Sequence, residues 1–255
     1  MSASRLRFAG QAALVTGGSG GIGAATARRL ATEGAAVTLM GRNAKHLDEL
    51  ATEIRANGGR ALTHVGDVTK LADTEAAVAS TVSEFGRLDL LITCAGGGRD
   101  RLIQRMTEED WDTVIDAHLK GTFFAAKAAQ AVMVERGFGR MVFLSSGAIR
   151  GSRGQLNYSA AKAGVIAMAR TLAIELGPSH VTVNAVVPGF IDTAMTRAVA
   201  ERIKTPWEDL AKTMADRTSV GRIGTPDDVA GVIAFLCSDD AAFVTGQAIW
   251  IRGGP

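Results

Sequence analysis

The segment Thr16-Gly17-Gly18-Ser19-Gly20-Gly21-Ile22-Gly23 constrains the fold of this chain more than any other feature. It follows a short apolar run at residues 12–16 and opens an alanine-rich stretch at 22–33, so it reads as strand, glycine loop and helix in that order. Two spacings are met at once, G-x-G-x-x-G through Gly18, Gly20 and Gly23, and T-G-x-x-x-G-x-G through Gly17, Gly21 and Gly23. Glycines there let the backbone approach a pyrophosphate, whose charge is met by free N–H groups and the positive end of the helix dipole. Gly17, Ser19, Gly20, Gly21, Ile22 and Gly23 are therefore candidate contacts to a dinucleotide.

The same alternation continues along the chain. Apolar runs recur at 35–40, 61–65, 88–93, 140–145, 181–187 and 248–251, separated by helical patterns. Residues 45–56 carry Leu47, Leu50 and Ile54 at helical spacing, and 157–176 form a proline-free run that Pro178 stops. Strands joined by crossover helices predict a doubly wound Rossmann α/β domain with a seven-stranded parallel sheet covered on both faces. A chain of 255 residues with 47% hydrophobic content can bury one large core, and with no linker or repeat one domain over 1–255 is expected.

Charge and composition narrow the function. Basic residues number 28 and acidic 26, a net +2 without a basic tract, which argues against a nucleic-acid partner. Two cysteines, Cys94 and Cys237, make no disulfide framework, and His46, His64, His118 and His180 have no metal-ligand spacing, so no metal and a reducing compartment are expected. The segment Met1 to Arg7 has too little apolar length for a secretory signal, and no uncharged run reaches the roughly 18 to 20 residues of a membrane helix. A soluble, cytoplasmic protein is the expectation.

The second strand ends in Gly41-Arg42, where a site for NAD usually places Asp or Glu about 20 residues past the glycines. A guanidinium there can pair with a 2′-phosphate, which favours NADP(H) over NAD; the competing reading is a solvated surface charge. Asp67-Val68, after the third strand, stands where an adenine amino group could bind, although Asp at a strand end is also a common helix cap.

Tyr158-Ser159-Ala160-Ala161-Lys162 puts a phenol and an ammonium four residues apart on one helix face, and Tyr158 is the only tyrosine. A phenol titrating near 10 is a poor acid or base at neutral pH, and a neighbouring cation favours its phenolate.

With these motifs, and with Val183-Asn184-Ala185-Val186-Val187-Pro188-Gly189, Val244-Thr245-Gly246-Gln247 and Gly253-Gly254, the chain resembles the short-chain dehydrogenase/reductase family over essentially its full length, and within it the 3-oxoacyl thioester reductases. The resemblance implies that Tyr158 donates a proton to a substrate carbonyl while the nicotinamide delivers hydride. It implies that Lys162 holds the nicotinamide ribose and lowers the tyrosine pKa, and that a serine at the end of the fifth strand bonds the carbonyl oxygen. Two serines compete. Ser145 stands thirteen residues before Tyr158, the usual spacing, and Ser146 twelve; counting along the strand from Gly139 favours Ser146, which shares the face of Val142 and Leu144. Pro188, Gly189, Ile191 and Thr193 resemble positions that contact the carboxamide and phosphates.

Two departures stand out. Thr93-Cys94-Ala95-Gly96 replaces the usual Asn-Asn-Ala-Gly beside the adenosine ribose, keeping the turn and losing side-chain hydrogen bonds. His118, in Asp116-Ala117-His118-Leu119-Lys120-Gly121, occupies the place of an asparagine that helps hold a water of the proton relay. A neutral imidazole can still donate and accept there; equally, His118 can be a polar residue satisfied by nearby backbone. The second function considered is a weakly active or inactive nucleotide-binding protein of this fold that acts through partners.

Residues 194–221 read as a substrate lid, with Met195, Val199, Ile203, Trp207, Leu210 and Met214 spaced like the apolar face of one or two helices, or simply packing the segment onto the body. Gly137 and Ser179 stand where carrier-protein reductases tend to place basic residues, which disfavours an acyl-carrier substrate. The substrate is expected to be a small carbonyl or alcohol compound. The resemblance, with alanine-rich helix faces, implies a homotetramer.

Overall fold

In the computed structural model, which describes residues 6–255, seven strands form one parallel sheet in the order β3-β2-β1-β4-β5-β6-β7. The amino-terminal residues 1–5, part of the segment read as no secretory signal, lie outside the described residues. The elements run β1 (Ala12–Thr16), α1 (Gly21–Thr32), β2 (Ala36–Gly41), α2 (Ala44–Ala56), β3 (Arg60–Val65), α3 (Leu71–Phe85), β4 (Leu90–Thr93) and α4 (Glu108–Ile115). A π-helical turn at Asp116–Lys120 leads into α5 (Gly121–Arg136), β5 (Gly139–Leu144), α6 (Leu156–Leu176), β6 (Val181–Pro188), α7 (Ala194–Arg202), α8 (Trp207–Ala215), α9 (Pro226–Cys237) and β7 (Ala248–Ile251). Each of the seven expected strands forms, with ends shifted by one or two residues. β4 begins at Leu90 because the preceding Asp89 spends its carboxylate on the Ala12 N–H, 2.8 Å away, and on Arg87.

Side-chain alternation divides the core into two layers. Ala13, Val15, Leu90, Ile92 and Val142 point to the side covered by α1, α2 and α9, whereas Leu14, Leu91, Met141, Phe143, Val183 and Ala185 point to the side covered by α3, α5 and α6. Burial on both faces explains why these strands read as continuous apolar runs. The strand order reverses between β1 and β4, which pair in parallel from Ala13 with Leu90 to Thr16 with Thr93. Beyond the carboxyl ends of those strands the connecting loops diverge to opposite faces and leave a crevice, the place where open α/β sheets bind ligands.

Two motifs far apart in sequence meet at the other end of the sheet. Asn184, fully buried in β6, donates to the Val244 carbonyl at 2.8 Å and accepts from the Gln247 N–H at 3.0 Å, so the closing segment is held as it enters β7. Among the described residues no helix is long and apolar enough to cross a membrane, and no cluster of His, Cys, Asp and Glu could hold a metal ion.

Candidate active site

Close backbone packing dictates the loop between β1 and α1. A Cβ on Gly23 would overlap the Gly17 carbonyl, and one on Gly17, itself at φ +66°, would lie 2.6 Å from the Ala95 nitrogen. The loop can therefore carry nothing larger at either position. Gly20 is the N-cap of α1, and no side chain caps the first turn, so its amides stay open to an anion. On one side lies the backbone of Cys94, Ala95 and Gly96, tied by the Cys94 N–H to the Thr16 carbonyl at 3.0 Å. On the other lies the segment 188–193. The Gly189 N–H bonds the Ile251 carbonyl at 2.8 Å, Ile191 is buried, and the Thr193 methyl stands 3.5 Å from where a Cβ of Gly21 would sit. The Thr193 hydroxyl accepts from the Thr196 N–H, which starts α7 there. Open amides inside a channel that only glycine backbone can line fit a nicotinamide dinucleotide.

At the far end of that channel Arg42 is exposed and makes no ion pair among the described residues. Ser19 lies beside it, its hydroxyl 3.4 Å from where a Cβ of Gly41 would stand. One oxygen of Asp67 accepts from the Thr69 N–H and hydroxyl, at 3.0 and 2.9 Å, so part of this side chain serves a local turn. Burial opposes ionisation of Asp67, but the Thr69 donors, with Arg42 and Lys70 nearby, hold it below the usual carboxylate range. Val68 is buried against Gly121 at the start of α5.

The two competing serines separate by strand alternation. Ser145 shares the face of Met141 and Phe143, is buried, and donates to the Lys162 carbonyl at 2.8 Å. Ser146, one residue on and still extended, faces the cleft and accepts from the Ala148 N–H at 3.2 Å. Lys162 is buried on α6, one turn after Tyr158, with Nζ donating to the Leu144 carbonyl at 2.5 Å and lying 5.7 Å from the Tyr158 ring centre. Burial pulls its ammonium down to about 8. The expectation that the lysine lowers the tyrosine pKa is not met in the chain by itself. Burial pushes Tyr158 above its usual value, a hydrogen bond with Ser146 works the other way, and the Asp100 carboxylate adds to the rise. Lys162 does not contribute to this shift, its Nζ being turned toward the Leu144 carbonyl.

His118 sits in the π-helical turn between α4 and α5, buried, with its ring edge-on to Tyr158 at 5.0 Å between centres. Its Nε2 lies 2.8 Å from the Gly97 carbonyl. A carbonyl only accepts, so Nε2 carries the proton and Nδ1 keeps its lone pair; Nδ1 is buried without a partner among the described residues. Burial and the Lys162 charge push the imidazole down to about 3, so it is neutral at ordinary pH. The ring fills the space over Gly96, where any Cβ would collide with it. Nearby backbone thus satisfies one ring nitrogen, and no partner among the described residues reaches the other. The Cys94 thiol, pushed up to about 12 by burial, also stays neutral.

Two residues that no motif marks also converge here. Asn157 is fully buried beside Tyr158. Asp100 bonds the Gln155 amide at 3.2 Å and pairs with Arg202, the last residue of α7, at 2.5 Å. Adjacency to Tyr158 was the only signal for Asn157; Asp100 gave none.

A seven-stranded doubly wound sheet with a glycine loop at its switch point and a Tyr, Lys and Ser group at the strand ends defines a nucleotide-dependent oxidoreductase. The family described as Enoyl-(Acyl carrier protein) reductase matches residues 17–255. The chain is 43% identical to the short-chain reductase protein NovJ of Streptomyces niveus, over 95% of this chain and 92% of that one. It is 41% identical to the 3-oxoacyl-[acyl-carrier-protein] reductase FabG of Thermotoga maritima, over 98% and 99%. A solved short-chain dehydrogenase/reductase from Mycobacterium ulcerans superposes with a TM-score of 0.90 at 35% identity, over 98% of this chain and 90% of that one. The protein belongs to the short-chain dehydrogenase/reductase family, a family of oxidoreductases acting on CH–OH and C=O groups.

Proposed function

We propose that this protein is a carbonyl reductase that prefers NADPH and interconverts a 3-oxoacyl thioester-like ketone with its secondary alcohol. The observation that carries the reading is the meeting of Tyr158, Ser146 and Lys162 beside the channel built on the glycine loop. When bound, the nicotinamide dinucleotide supplies the hydride. Ser146 donates a hydrogen bond to the substrate carbonyl oxygen, and Tyr158 gives its phenolic proton to that oxygen in reduction and removes it in oxidation. Lys162 supplies positive charge on the same helix face and holds the nicotinamide ribose. Ser145 serves this site indirectly by fixing the backbone of Lys162. Nδ1 of His118, without a partner among the described residues, would accept a hydrogen bond of the proton relay.

Arg42, exposed at the end of β2 and in no ion pair among the described residues, supports NADP(H), with NAD the weaker partner; Asp67 and Val68 flank the adenine. A thioester substrate is supported by the family and by a relative 40% identical, named (2S)-[(R)-hydroxy(phenyl)methyl]succinyl-CoA dehydrogenase subunit BbsD, of Thauera aromatica. Residues 194–221 act as the substrate lid of a single domain: α7 and α8 fall there, and Trp207 stacks on Phe190 at 6.0 Å. The protein works in the cytoplasm as a homotetramer, a state that would cover apolar side chains exposed on α5 and α6 such as Phe123, Val134 and Ile174; a monomeric mass in solution scattering would remove that assembly.

The deciding experiment measures NADPH oxidation with acetoacetyl-coenzyme A, beside NADH and the Tyr158→Phe variant. Turnover that prefers NADPH and falls by about 10²- to 10⁴-fold in the variant is expected. Equal rates in Tyr158→Phe would overturn the proton-donor assignment. Cofactor binding without turnover on this or other ketones would favour a nucleotide-binding protein that acts through partners.

A further inference from the structure

The first turn of α6 carries Tyr158 and lacks the usual means of closing a helix start. Gln155, the N-cap, makes no side-chain hydrogen bond to the turn, so the amides of residues 156–158 have no intrahelical acceptor. Asn157 meets this need. Its Oδ1 accepts from the Tyr158 N–H at 2.8 Å, while its Nδ2 donates to the Asp110 carbonyl at 2.8 Å and to the Arg99 carbonyl at 3.2 Å. The side chain is fully buried, and both of its amide hydrogens and its oxygen are used. One amide thus joins three pieces of chain: the start of α6, the start of α4, and the loop that leaves β4.

That loop is itself attached to the site at each step. The Gly97 carbonyl takes His118 Nε2, the Arg99 carbonyl takes Asn157, Asp100 takes Gln155, and the Arg101 N–H bonds the Gly154 carbonyl at 2.8 Å. Only Asn157 among these reaches the backbone of the tyrosine. We infer that Asn157 is the positioning residue of this site, locking the Tyr158 backbone to the β4 loop so that the phenol stands opposite Ser146. It touches no reacting atom and acts through Tyr158. The inference rests on the reading of Tyr158 as proton donor and adds the group that aims it.

A property of the sequence makes the test direct. Tyr158 is the only tyrosine, so the near-ultraviolet phenolate absorbance of the folded protein reports this one side chain. The charged and titratable groups facing it are Lys162 on its own helix, Asp100 on the β4 loop and His118 on the π-helical turn, and none of them is altered by substituting Asn157.

Asn157→Ala and Asn157→Asp are compared with the parent in three measurements: tyrosine titration by absorbance, NADPH binding, and kcat and KM with acetoacetyl-coenzyme A. Rates are normalised to titrated NADPH sites, so loss of folded protein does not count. The aspartate keeps the shape but turns an oxygen toward two carbonyl oxygens. Expected are a kcat at least tenfold lower in both variants, NADPH affinity within about threefold of the parent, and a phenol in Asn157→Ala that titrates closer to its ordinary value of about 10. A lowered thermal midpoint with parental kcat per site and parental phenol titration would mean a purely structural residue and would overturn the inference. If the parent itself does not turn over this substrate, the proposed function fails on its own, and the phenol titration still decides the role of Asn157. Should alanine and aspartate both give no folded protein, Asn157→Ser is titrated in the same way, and an unshifted phenol there again overturns the inference.

Discussion

Helix α1 buries seven of its twelve residues, and helix α8 buries none of its nine. The first is packed so closely against the glycine loop and the backbone after β4 that side chains are excluded at Gly23. The second is held by the Trp207 stack on Phe190 and by Arg197 lying over the same indole at 4.5 Å. The glycine-loop end is therefore specified by contacts that cannot relax, whereas α8 buries no residue of its own. With α7 and α8 as the proposed lid, such an arrangement would let one chemistry serve different substrates.

The sharpest way to break this contrast is Gly23→Ala. A methyl against the Gly17 carbonyl forces the loop apart, so NADPH binding should be lost and stability should fall by about 3 kcal/mol, measured by cofactor titration and chemical denaturation. Retained binding would mean the loop is as adaptable as the lid.

Acid stability probes the rigid side through His118. The folded chain holds this ring neutral down to about pH 3, whereas the unfolded chain takes up the proton near 6.5. Below 6.5 the unfolded state binds more protons, so the stability present above that pH is lost as pH falls toward 3. The loss attributable to this ring is about 2 kcal/mol at pH 5. Denaturation curves of the parent and of His118→Asn should diverge by that amount between pH 7 and 5; parallel curves would show that the ring is not held neutral.

Arg42→Asp moves along the cofactor channel to its solvent end. It should weaken NADPH by about tenfold or more relative to NADH, and an unchanged ratio would show that Arg42 does not read the 2′-phosphate. Smallest is Trp207→Ala on the lid. It should raise the KM for the acyl substrate a few-fold while thermal stability stays within about 0.5 kcal/mol of the parent. A large stability loss there would show α8 to be part of the core and remove the contrast.

The strands, the glycine loop and the Tyr158–Lys162 pair were legible in the chain because each depends on local periodicity or on the sterics of neighbouring residues. A parallel sheet buried on both faces followed from them; the strand order and the crevice between β1 and β4 came from the structure. The choice between Ser145 and Ser146 was half legible: alternation indicated the face, but only packing against α6 showed Ser145 spending its hydroxyl on the Lys162 carbonyl. His118 stood out in sequence as a departure, yet its tautomer and its unpartnered Nδ1 depend on Gly97, twenty-one residues away. Asn157 carried no pattern because its partners, at positions 99 and 110, approach it only after α4 and the β4 loop fold over α6.

By itself, then, the sequence determined a seven-stranded doubly wound sheet, where its phosphate loop lies and which phenol and ammonium share a helix face, since hydrophobic period and glycine spacing act over a few residues. Only the tertiary structure decided the protonation of those groups. Burial drives Tyr158 up and Lys162 and His118 down, and burial is a property of what the rest of the chain packs around them.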